Sequence, residues 1–140
     1  MKNNSLIDFQ ENWKKLVDKA FENYTSMSKD ERIWFNIQCL IQAVDNGGLI
    51  SHYYNSGADF NLETIQDLNS LGFQEIAAIL SKINQLFPNH QPSKSIEERN
   101  EVMESWPDGI YDNLLEELDQ QFNVKKPELE KALMLLIEKI

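Results

Sequence analysis

Cysteine occurs once in these 140 residues, histidine twice, proline four times and glycine five times. One thiol makes no disulfide, so nothing staples the chain. At this length it can still bury roughly two thirds of the surface its unfolded form exposes, as a single domain. Cys39 sits in the apolar run IWFNIQCLIQAV and reads as a small buried hydrophobe rather than a nucleophile. Two isolated histidines and that cysteine offer no zinc spacing, and no DxDxDG loop supplies calcium ligands. No metal and no cofactor is expected. Long hydrophobic runs are missing too: the longest aliphatic stretch, ALMLLI at 132–137, is far too short to span a bilayer. The start, MKNNSLIDFQENW, lacks the apolar core of a signal peptide. A soluble, cytoplasmic protein is expected.

Positive charge is scarce, with 13 Lys and Arg against 23 Asp and Glu. The deficit is local. Between Ile96 and Gln121 stand nine acids (Glu97, Glu98, Glu101, Glu104, Asp108, Asp112, Glu116, Glu117, Asp119) and one base, Arg99, so this segment holds −8 of the net −10. Such a field repels phosphate, which argues against direct nucleic-acid binding and against docking on an anionic membrane. A charge-steered partner should be a basic protein.

What is present is helical period almost throughout. Leu6, Phe9, Trp13, Leu16 and Ala20 recur at three and four residues, giving a first amphipathic helix with Ser5 as its cap. Ser28 and Glu31 have capping-box spacing, and the apolar run Ile33 to Val44 covers so much of the circumference that this helix should be central. It stops at Asn46-Gly47-Gly48, and Leu49 to Tyr54 reads as a short helix leaving the corner. Asn61 is a suitable cap for a helix through Leu71, with Gly72 as terminator and a further helix from Phe73 to Phe87. PNHQPSKS is a loop. Ser95 and Glu98 suggest a second capping box for a helix toward Trp106, and Pro107-Asp108-Gly109 turns the chain into a helix from Ile110 to Phe122. Pro127 opens the last, where Leu129, Leu133, Leu136, Ile137 and Ile140 line a face suited to the bundle or to a second copy of the chain. No alternating strand pattern, internal repeat or low-complexity tract occurs. The fold class is all-α: one compact multi-helix domain over 1–140 with about six to eight helices.

The corner VDNGGLISHYYNSG invites a chemical reading. A left-handed residue at a helix end and close packing of the next element explain its glycines without one. A phosphate cradle would need GxxxxGK[ST] or GxGxxG after a strand. His52 could serve as a general base, yet no neighbouring residue suggests a nucleophile or an orienting partner. Paired glycosidase carboxylates would need a cleft. An enzyme is not expected.

The acidic segment offers more. Glu97, Glu101 and Glu104 follow i, i+4, i+7, and Asp112, Glu116 and Asp119 repeat that spacing, so each set forms a stripe. Each close like-charge pair costs a few tenths of a kcal/mol. Four residues of helix rise about 6 Å, a spacing of the same order as neighbouring phosphates on one strand. Two adjacent helices would then present a double row resembling a charged backbone. A solvated face that keeps the protein soluble explains the same residues, and both readings stay open.

The stretches ERIWFNIQCLIQAVDNGGLISHYYNSGAD, LNSLGFQEIAAILSKINQLFP and EERNE resemble the DNA-mimic protein 19-like family of small bacterial helical proteins, mostly domains of unknown function. Its hallmark is an Asn-Gly-Gly corner and an aromatic-rich turn ending in Asn, matched here by Asn46, Gly47, Gly48, Tyr53, Tyr54 and Asn55. Leu49, Ser51 and His52 depart from the pattern, where an aromatic, a glutamine and a phenylalanine are usual. The resemblance runs from about Ser28 to the C-terminus. It implies an all-α fold, self-association as a homodimer, and for the mimic an acidic surface occupying the DNA-binding face of a transcription factor. The expected function is an acidic interaction protein whose 96–121 surface engages a basic, DNA-binding regulator. The alternatives are an immunity or antitoxin-like protein neutralising a basic toxin and, from a different class, a small hydrolase using His52.

Overall fold

Ser28 starts the helix on which the others are mounted. Its hydroxyl accepts the Glu31 N–H at 3.2 Å while the Glu31 carboxylate accepts the Ser28 N–H at 2.9 Å, the full capping box. The structure, a computed structural model, describes residues 6–140, the side chain of Ile7 excepted. Ser5, the expected first cap, lies outside the described residues. Within them the chain forms seven α-helices and no strand: α1 Gln10–Asn23, α2 Lys29–Gly47, α3 Leu49–Tyr54, α4 Asn61–Leu71, α5 Gln74–Asn84, α6 Ile96–Ser105 and α7 Asp112–Glu138. A 3₁₀ turn, Leu6–Phe9, precedes α1.

The all-round apolar pattern of α2 puts it in the middle, against α1, α3, α4 and α7. Ile37, Leu40 and Ile41 on α2 meet Leu68 of α4, Leu80 of α5 and Phe122 of α7 in one core. Each such side chain contributes roughly 1.5–3 kcal/mol on burial. Two aromatic series brace this core. Trp13 stacks on Phe35, and Tyr24 on Phe60. Tyr53, Phe87, Trp106 and Tyr111 follow one another at centroid distances of 5.3, 5.4 and 4.9 Å, which holds the turn before α7 on the body of the molecule. Asp67 is fully buried on α4 and held by the Arg32 guanidinium of α2 (Nε 3.2 Å, Nη2 2.5 Å) and by Asn36 Nδ2 at 2.9 Å.

Six expectations need correction. Pro127 opens no helix but lies inside α7, which runs 27 residues without a break. Proline removes one ladder hydrogen bond, and here both flanks are fastened to the same core, by Leu118 and Phe122 before it and Leu129, Leu133 and Ile137 after it. Ile140 on the expected apolar face is exposed. Asn61 is no cap: its backbone is helical, Phe60 stands at the cap, and its amide is buried. The helix expected to reach Phe87 ends at Asn84, because Pro88 forces the preceding residue into extended backbone (Phe87 φ −92°, ψ 156°). Ser95 accepts the Glu98 N–H at 3.3 Å, but the Glu98 carboxylate takes the Ser93 hydroxyl, so only half of that box forms. Cys39 is half-buried rather than buried.

Candidate functional site

Helix α6 shows how a segment of nine acids can pack at all. Ile96, Arg99 and Met103 share its inner face, Arg99 fully buried, while Glu97, Glu101 and Glu104 are exposed on the other. The Arg99 guanidinium is surrounded by acceptors. Its Nε donates to the Tyr53 carbonyl at 3.0 Å, Nη1 to the Ser93 carbonyl at 2.8 Å and Nη2 to the Asn55 carbonyl at 2.9 Å, and Nη1 lies 2.9 Å from Asp59 Oδ1. The one cation of the segment is thus turned inward. Sequence reasoning missed this residue, although a lone base at a core-facing position of an otherwise acidic helix was a usable signal.

On α7 four acids, Asp112, Glu116, Glu117 and Asp119, stand in the amino-terminal half and three, Glu128, Glu130 and Glu138, in the other; the helix dipole favours Asp112 in the first turn, and Asp112 and Glu116 are exposed. The bases follow: Lys125 pairs with Glu75 of α5 at 3.3 Å, and Lys126 with Asp45 of α2. Among the described residues, none of the nine acids of 96–121 forms an ion pair with a Lys, Arg or His. Helix α6 packs on α3 whereas α7 packs on α2, α5 and α3, so the acidic helices are carried mainly by other elements rather than by extensive packing on one another. Asp119 leaves its stripe. It is half-buried, and its Oδ1 accepts the Leu49 N–H at 2.8 Å.

That bond leads into the glycine corner. Gly47 is the last residue of α2, and Gly48, at φ +81° and ψ −177°, donates its N–H to the Val44 carbonyl and starts α3. This backbone region belongs essentially to glycine. A Cβ on Gly48 would also stand 2.7 Å from Asp119 Oδ2, whereas one on Gly47 would meet only Ser51 at 3.4 Å. Gly48→Ala is therefore expected to lower stability by about 1–3 kcal/mol or more, with Gly47→Ala within about 1 kcal/mol of the parent. Urea unfolding checks both. Equal losses at the two positions would remove the special role of Gly48.

The remaining corner residues form a polar chain. Tyr53, fully buried, donates its hydroxyl to Asn84 Oδ1 at 2.7 Å, with the Leu80 carbonyl 3.1 Å away. Asn84 Nδ2 donates to Asn61 Oδ1 at 2.7 Å, and Asn61 Nδ2 faces His52 Nε2 at 3.2 Å. Read in that direction, every donor has an acceptor only if His52 Nε2 is unprotonated. Burial, with the Arg99 charge adding to it, lowers the His52 pKa to about 3. A ring so deeply buried and held neutral is poorly suited to be the general base of a hydrolase. Asn55 Nδ2 caps back onto the Ser51 carbonyl at 2.6 Å. Asn46 and Tyr54 are exposed, and Asn46 lines a shallow depression of about 190 Å³ together with Cys39, Gln42, His52, Asn55 and Ser56. Burial pushes the Cys39 thiol up to about 12, far from a thiolate.

Among the described residues no three His, Cys, Asp or Glu side chains converge as metal ligands, and no helix is long and apolar enough to cross a membrane. The family model described as DMP19-like protein matches residues 25–139. The chain belongs to the DMP19-like family. No curated protein and no solved structure matches it.

Proposed function

We propose that this member of the DMP19-like family is an acidic interaction protein that occupies the DNA-binding surface of a basic regulator and so competes with nucleic acid. Family membership supports a DNA-mimic role, and the observation that carries the reading is the charge left over at the surface. Among the described residues none of the nine carboxylates of this segment has a cationic partner and eight of them are exposed, while the only base there is buried against backbone carbonyls and Asp59. Elsewhere several acids do have cationic partners, among them Glu31, Asp45, Asp67 and Glu75. A basic surface brought against α6 and the first turns of α7 supplies the missing partners.

The test begins with capture of a basic DNA-binding protein from the native host and competition with its DNA. Neutralising Glu97, Glu101, Glu104, Asp112 and Glu116 to Gln keeps size and helix propensity nearly constant, so the fold should be unchanged. Affinity for the captured regulator should fall roughly ten- to a hundredfold, mostly through slower association, and should weaken with salt, since the Debye length is about 8 Å at physiological ionic strength. A control neutralises Glu11, Asp18 and Glu22 on α1. Equal loss per charge removed in both variants would reduce the effect to net charge. No loss in either would make the acidic helices a solvated face.

A further inference from the structure

Helix α3 is six residues long, and each of its ends is held by a side chain of the acidic segment. At its amino end the Leu49 N–H donates to Asp119 of α7 at 2.8 Å. At its carboxyl end the carbonyls of Tyr53 and Asn55 accept from Arg99 of α6 at 3.0 and 2.9 Å. The signs suit the helix dipole, anion at the start and cation at the end. Helices α6 and α7 both pack on α3 but not extensively on one another, so the turn between them and its Trp106–Tyr111 contact fix the joint and not the angle across it. Their relative direction has to be set elsewhere.

We infer that the glycine corner is a mount that sets the direction of the two acidic helices relative to each other, with Asp119 and Arg99 as positioning residues rather than partner contacts. The inference rests on the proposed function only in what the helices are positioned for. It explains why the corner needs glycine for a second reason besides its backbone angles: Gly48 leaves room for the Asp119 carboxylate, which a Cβ would meet at 2.7 Å. It also divides the acids of α7 by role. Glu116 points to solvent, whereas Asp119 is spent on a backbone N–H inside the molecule.

The experiment has one arm for geometry and one for binding. Nitroxides placed through Glu101→Cys and Gln120→Cys, in a Cys39→Ser background, report the α6–α7 distance by pulsed electron resonance. The parent should give one narrow distribution, Asp119→Asn should keep it because the amide oxygen still accepts from Leu49, and Asp119→Ala should broaden or shift it. In the second arm a fluorescent arginine-rich peptide is the probe. Glu116→Gln should weaken its binding about twofold, while Asp119→Asn, which removes the same charge, should leave it unchanged. An Asp119→Ala distribution as narrow as the parent's, or an Asp119→Asn loss equal to that of Glu116→Gln, overturns the inference. Should Asp119→Ala fail to fold, the comparison of Asp119→Asn with Glu116→Gln decides alone. Failure of the acidic surface to bind the peptide in any variant would count against the proposed function while leaving the distance arm to judge the mount.

Discussion

Arg99→Met should lower the free energy of unfolding by about 3–5 kcal/mol, a large share of what a domain of this size commonly has. Methionine fills much of the same volume, so the loss comes from the acceptors rather than from a cavity. The carbonyls of Tyr53, Asn55 and Ser93 each lose a charged donor; Asn55 keeps the Ala58 N–H, whereas a buried acceptor left without a donor costs about 1–3 kcal/mol. Asp59 loses its ion pair as well: its side chain is 36% exposed, but the Oδ1 that faces Arg99 is buried with no hydrogen-bond partner. Arg99→Lys keeps the charge but has no planar fork to reach three carbonyls at once, so it should fall between parent and methionine. Urea midpoints of the three proteins give the order. A methionine variant as stable as the parent would show that the guanidinium is not needed to hold α6 on α3.

How much of this was legible differs from element to element, and the reason is range. The capping box at Ser28 and Glu31, the left-handed stop at Gly72 (φ +95°) and the break at Gly48 are decided within a few residues, and the sequence announces them. Pro127 is a local stop signal too, but it was overruled by core contacts on both sides of it. Asn61 looked like a cap because its residue type suits one. Its amide is instead taken by His52 and Asn84, nine residues before it and 23 after, and no local pattern reveals such partners. The acidic stripes on α6 and the first turns of α7 follow from helical spacing alone. That Asp119 leaves its stripe depends on a backbone N–H 70 residues away, and which elements carry α6 and α7 depends on packing that no local pattern reveals.

The same buried chain that hid Asn61 from the sequence gives the protein a specific acid sensitivity. With its folded pKa lowered to about 3 and an unfolded value near 6.5, His52 takes up a proton in the unfolded chain but not in the folded one throughout that interval. Stability is therefore fully present above about pH 6.5 and is lost as pH falls toward 3, by about 1.4 kcal/mol per pH unit from this group. Over the whole interval that amounts to roughly 5 kcal/mol. The window from about pH 6.5 to 5 isolates the effect, because Glu31, held below its ordinary value by the Ser28 N–H and Lys19, contributes only below about pH 4.5. His52→Gln keeps an acceptor for Asn61 Nδ2 and cannot titrate. Unfolding by urea at steps across that window should give a falling stability for the parent and a curve flatter by about 2 kcal/mol for the variant. Parallel curves would mean that the folded protein admits a proton onto His52, and hence that the donor chain from Tyr53 through Asn84 and Asn61 does not end on an unprotonated Nε2.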